Sequence, residues 1–102
     1  MGFEYKLKTK LTDQQTTEIQ DLLESSALFE KKYEYVHHLF WDFRHAENLG
    51  KIPNISIMFE EDGIYICQWS SSYVWKDLDE LKNYIENKQI EYGLIDYQEY
   101  QL

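Results

Sequence analysis

The chain has one cysteine, one proline, one arginine and four glycines in 102 residues, and each scarcity excludes something. A single thiol, Cys67, forms no internal bridge, and small secreted domains usually carry several cysteines, so a reducing cytoplasm is the expected setting. Glycines at 2, 50, 63 and 93 are too scattered for a phosphate-cradling loop. No stretch approaches the ~20 apolar residues that a membrane-spanning helix needs. The start, Met1-Gly2-Phe3-Glu4-Tyr5-Lys6, carries no signal-peptide run, and Lys6 stands where a myristoylation signal has Ser or Thr. Basic side chains cluster only in Lys6-Leu7-Lys8-Thr9-Lys10, with Arg44 the lone arginine, so direct nucleic-acid binding is not expected. With no low-complexity tract, repeat or linker, residues 1–102 read as a single domain.

Motifs for chemistry are equally sparse. Ser70-Ser71-Ser72 has no histidine adjacent in sequence. His37 and His38, if they lie in a strand, point to opposite faces and cannot share an ion, and Cys67 reads as a small buried hydrophobe. Glu60-Glu61-Asp62 lacks the alternating ligand spacing of a calcium loop. The expectation is a protein with no catalytic residue, no metal and no cofactor.

What the chain has is acid and aromatic surface. Nineteen Asp and Glu stand against ten Lys and Arg, a net charge of −9, beside nine tyrosines, five phenylalanines and three tryptophans. Anionic lipid would repel such a chain. A basic protein would be steered toward it.

The order of elements follows from spacing. Phe3-Glu4-Tyr5-Lys6-Leu7-Lys8 alternates as a strand, and Thr12 with Gln15 matches a capping box opening a helix over 12–27. That helix buries Ile19, Leu22, Leu23, Ser26 and Ala27 and turns Glu18, Asp21 and Glu24 outward. Residues 33–43 fit either one strand or a helical stripe through Phe29, Tyr33, Val36, Phe40 and Phe43. The strand is favoured by its aromatic and β-branched content, with 44–53 as a loop. Ile55–Phe59 and Ile64–Trp69 flank Asp62-Gly63 and predict a type I′ hairpin with Phe59 opposite Ile66 and Met58 opposite Cys67. Ile55, Ile57, Phe59, Ile64 and Ile66 then share one face, and Met58, Tyr65 and Trp69 the other. A second helix is expected from Asp77, capped toward Glu80, to a stop near Gly93, with a short strand between Leu94 and Leu102. The fold class is α+β, a β-α-β-β-β-α antiparallel sheet with both helices on one face.

Three groups of residues stand out as a binding surface. Trp69-Ser70-Ser71-Ser72-Tyr73-Val74-Trp75 has the composition of a binding loop, in which rigid aromatics supply area and serines adaptable hydrogen bonds; alternatively, Val74 and Trp75 staple the helix start. Asp77 and Glu80 follow directly. Glu18, Asp21 and Glu24 have no basic neighbour within their helix, and Glu60 sits at the hairpin tip. Tyr65 belongs to the face that the helices leave bare.

Taken together, the acidity, the Tyr and Trp content and the Asp62-Gly63 hairpin running into Trp69–Leu81 give a chain that resembles the small acidic immunity proteins of bacterial polymorphic-toxin systems. The resemblance implies a cytoplasmic inhibitor that neutralises a basic toxin, often a nuclease, by direct binding. The alternatives are a homo-oligomeric regulatory or structural module and a small enzyme without a recognisable motif.

Overall fold

Alternation places strands wherever every second side chain is apolar, and the computed structural model, which describes residues 2–100, has six of them. The elements are β1 (Phe3–Lys8), α1 (Asp13–Glu24), β2 (Phe29–Tyr35), β3 (His38–Phe43), β4 (Ile55–Glu60), β5 (Gly63–Gln68), α2 (Asp79–Asn87) and β6 (Gly93–Asp96), followed by a 3-10 turn at Tyr97–Tyr100. The sheet runs β2-β3-β4-β5-β1-β6, every adjacent pair antiparallel. One face carries Leu7, Trp41, Phe43, Ile55, Ile57, Ile64 and Ile66, all buried against Ile19 and Leu23 of α1 and Leu81 and Ile85 of α2. Both helices therefore lie on that face, as the sequence predicts. Among the described residues no helix is long and apolar enough to cross a membrane.

Local signals explain α1. Thr12 Oγ1 accepts from the Gln15 amide and Gln15 Oε1 from the Thr12 amide, each at 3.0 Å, so the capping box forms as read.

The segment expected as one strand over 33–43 is instead a hairpin of β2 and β3. Val36 and His37 turn it, with φ of 51° and 64°, the left-handed pair that a type I′ turn requires. A β-branched valine is strained in that conformation, and without Asn-Gly or Asp-Gly at these positions the turn carries no strong sequence signal. Cross-strand rings offset the strain: Tyr33 stacks on Phe40 at 5.7 Å and Phe29 meets Phe43 edge-on at 6.0 Å. The reversal moves Tyr33 and Tyr35 onto the bare face, away from Leu39, Trp41 and Phe43.

In the next hairpin the turn falls on Glu61-Asp62. Met58 therefore pairs with Tyr65 and Phe59 with Ile64, rather than Met58 with Cys67 and Phe59 with Ile66. A slip of two residues leaves every side chain on its expected face. Gly63 serves a close approach: a Cβ there would lie 1.9 Å from the carbonyl oxygen of Leu7 on β1.

α2 is shorter than expected at both ends. Asp77 has φ 60° and caps nothing, its carboxylate being held by His45; the N-cap position falls to Leu78, which has no side-chain bond. At the other end Gln89, with φ 54°, takes the place predicted for glycine. The Ile90 amide donates to Ile85 O and that of Gln89 to Glu86 O, a Schellman motif that lets Ile90 pack on the core. Gly93 opens β6. The strand expected over 94–102 is found at its start, and residues 101 and 102 lie outside the described residues.

Val36→Asn combined with His37→Gly supplies residues suited to a type I′ turn and relieves the strain at the β2–β3 turn. The double variant is expected to gain about 1 kcal/mol and to melt roughly 4–8 °C higher. An unchanged or lower melting temperature in a thermal scan contradicts the turn.

Candidate functional site

At the end of the sheet where β3 passes to β4 and β5 passes to α2, two loops meet. The first, residues 44–54, contains no regular element, yet several of its polar groups are paired. Asn54 Oδ1 accepts from the His45 amide at 2.9 Å and from Asn48 Nδ2 at 2.8 Å, while Asn54 Nδ2 donates to Ser70 Oγ of the second loop at 3.0 Å. The Asn54 main chain donates to Phe43 O and accepts from Trp69, both at 2.9 Å. Arg44 is consumed internally: its Nε meets Glu30 at 2.7 Å and its Nη1 donates to Gly50 O at 2.6 Å. His45 Nε2 lies 2.7 Å from Asp77 Oδ2, which ties the first loop to the approach to α2.

These locked loops hold apolar side chains in solvent. Leu49 is 93% exposed, and Ile52 and Tyr73 each 54%. Exposed apolar groups on pre-ordered backbone are suited to binding, because the entropy of ordering the loop is spent on folding rather than on association. The serine-aromatic segment divides as its two readings allowed: Val74 and Trp75 are core residues, whereas Tyr73 projects outward. Trp69 is half-buried, with its Nε1 donating to Ser56 Oγ at 3.2 Å. Gly2 lies so close to the Trp69 ring that a Cβ would come within 2.9 Å.

The expected acidic site residues are scattered. On α1, Glu18 accepts from Tyr84 of α2 and from Gln14, and the Tyr84 contact draws its carboxyl below the usual range. Glu24 accepts from Trp41 Nε1 at 3.1 Å and lies 3.7 Å from Lys32. Both are braces within the fold, so the reading of α1 as a row of unpaired charge is corrected; Asp21 alone of the three lies exposed without an ion-pair partner among the described residues. Glu60, at the opposite end of the sheet from the two loops, pairs with Lys6 at 3.4 Å. Only Trp69, Tyr73, Asp77 and Glu80 belong to the two-loop end and the helix start beside it. Leu49, Ile52 and Asn54 belong there too; the sequence predicts 44–53 only as a loop and assigns Asn54 to no element. Leu49 and Ile52, two large aliphatic residues in an otherwise largely polar stretch, were the signal available.

The bare sheet face carries a row, one residue per strand: Tyr33, Phe40, Met58, Tyr65, Lys6 and Ile95. All six are half-buried, and neither helix covers them. Tyr65 donates to Glu4, and burial raises its pKa. In the neighbouring row of the same face Asp42, 3% exposed, accepts from Ser56 at 3.0 Å and from Tyr33 at 3.2 Å. Burial also pushes the Cys67 thiol up to about 11, which keeps it protonated and unreactive at neutral pH. His37 and His38 lie exposed near the β2–β3 turn, and among the described residues no three His, Cys, Asp or Glu side chains converge on a metal position.

No family model matches the chain, and neither a curated protein nor a solved structure matches it.

Burial raises the carboxyl pKa of Asp42 against the partial opposition of Ser56 and Tyr33. A group whose pKa is higher folded than unfolded stabilises the fold below its unfolded pKa, and that stability is lost as pH rises through the folded value. Urea unfolding of Asp42→Asn and of the unsubstituted chain, at about pH 7 and about pH 4, is expected to show the latter gaining relative to the variant at the lower pH. A relative loss on acidification contradicts the buried carboxylate.

Proposed function

We propose that this chain is an acidic inhibitory binding protein of the immunity kind, which neutralises a basic toxin through its two-loop end. The observation that carries the reading is the conjunction of Leu49, Ile52 and Tyr73 in solvent with a loop backbone already fixed by Asn54 and Arg44. A net charge of −9 supports a cationic partner, since exposed carboxylates steer encounter and discriminate against acidic competitors. Apolar anchors then decide how long the complex lasts. Binding rather than turnover is the role, and the cytoplasm, where such a toxin would act on its own producer, is the setting.

A second reading rests on the row from Tyr33 to Ile95 across the bare face, which would serve self-association. Salt separates the two readings, because it weakens a steered hetero-complex and leaves an apolar homo-oligomer intact.

The test is binding kinetics against the protein encoded immediately upstream of this gene. Leu49→Asp and Tyr73→Ala are expected to speed dissociation, by about 2 kcal/mol or more where either side chain fills a dry pocket. Asp21→Lys, on exposed α1 surface, is expected to alter mainly the association rate, by about 1 kcal/mol or less. Unchanged off-rates in both loop variants contradict the two-loop site, and an upstream protein that does not bind contradicts the inhibitor reading.

A further inference from the structure

Between the end of α1 and the start of α2 lies a hollow of about 150 Å³. Its floor is apolar, made by Leu22, Leu23, Leu28, Phe43 and Leu81, and its rim is acidic, made by Asp77, Asp79 and Glu80. Asp77 is engaged by His45. Asp79 and Glu80 are exposed, and neither has an ion-pair partner among the described residues. Leu78 provides no side-chain cap, so among the described residues no side chain meets the first amides of α2 beside the hollow. An aliphatic stem with a cationic head satisfies the floor and the rim together, and the main-chain carbonyl next to it can meet those amides. A purely apolar side chain would leave the carboxylates unanswered, and an anion would be repelled by them.

We propose that this hollow receives a long basic side chain, lysine or arginine, from the partner protein. The assignment rests on the inhibitor reading for the identity of the partner but extends it: it names the partner group that docks and the pocket that takes it. It also places Glu80 and Asp79 at the contact, while Glu18 and Glu24 remain braces of the fold.

The hollow can be probed without the partner. N-acetyl-lysine methylamide and N-acetyl-arginine methylamide, titrated into the isotope-labelled full chain, are expected to shift the amide resonances of Leu22, Ser26, Leu28 and residues 79–81. N-acetyl-norleucine methylamide, which keeps the stem and lacks the charge, is expected to shift them far less. The double variant Asp79→Asn with Glu80→Gln, checked for an unchanged fold by its spectrum, is expected to weaken the basic probes roughly fivefold or more. No shifts at the hollow, equal shifts from norleucine, or undiminished binding to the double variant overturns the proposal. Failure there leaves the two-loop kinetics intact, whereas a chain that binds the probes but no basic protein loses the inhibitor reading and keeps the hollow.

Discussion

The side-chain amide of Asn54 is the joint on which the two-loop end of this molecule depends. A loop of this length between two central strands would ordinarily carry many unsatisfied peptide groups and fluctuate on its own. Here one amide accepts from two points of its own loop and donates to Ser70 of the neighbouring one, while its main chain continues the hydrogen bonding of β3, β4 and β5 by one step. Arg44 braces the far side of the loop through Glu30 and the carbonyl of Gly50. The sheet thus extends its order into a region that looks irregular, and that order lets Leu49 and Ile52 stay in solvent in fixed positions.

Charge is used in two distinct ways. The carboxylates that read as a free acidic face on α1 serve the fold: Glu18 joins α1 to α2 through Tyr84, whose hydroxyl is pushed up to about 12 by burial and by that contact, and Glu24 joins α1 to β3 through Trp41. Asp79 and Glu80 at the start of α2 have no ion-pair partner among the described residues. Acid bonded to neighbouring elements ties α1 to α2 and to the sheet, whereas Asp79 and Glu80 stay exposed.

The buried face was legible in the sequence because it depends only on alternation. Even the two-residue error in the β4–β5 register left Ile57, Phe59, Ile64 and Ile66 on the side assigned to them. What escaped were conformations bought by tertiary contact. Val36 and His37 occupy a turn that favours asparagine and glycine, and stacked rings on either side hold them there. Gln89 occupies a helix-ending position that favours glycine, and Asp77 forsakes its capping place for His45. The partners of Glu18 and Glu24 escaped for a related reason: spacing rules see neighbours within one helix, whereas Tyr84, Trp41 and Lys32 come from elsewhere in the chain. Of the expected site, Trp69, Tyr73, Asp77 and Glu80 converge, because they follow one another along the chain. Leu49 and Ile52 join them only through the hydrogen bonds of Asn54 and His45.

The claim that matters most is that the loop over residues 44–54 is rigid before any partner arrives, and amide hydrogen exchange of the free protein measures this directly. The amides of His45, Gly50 and Asn54 donate to Asn54 Oδ1, Asn48 Oδ1 and Phe43 O respectively. All three are expected to exchange with protection comparable to that of the central strands. Exchange at the rate of an unstructured peptide would show that the loop is not ordered in advance and that Leu49 and Ile52 are not held as a binding surface.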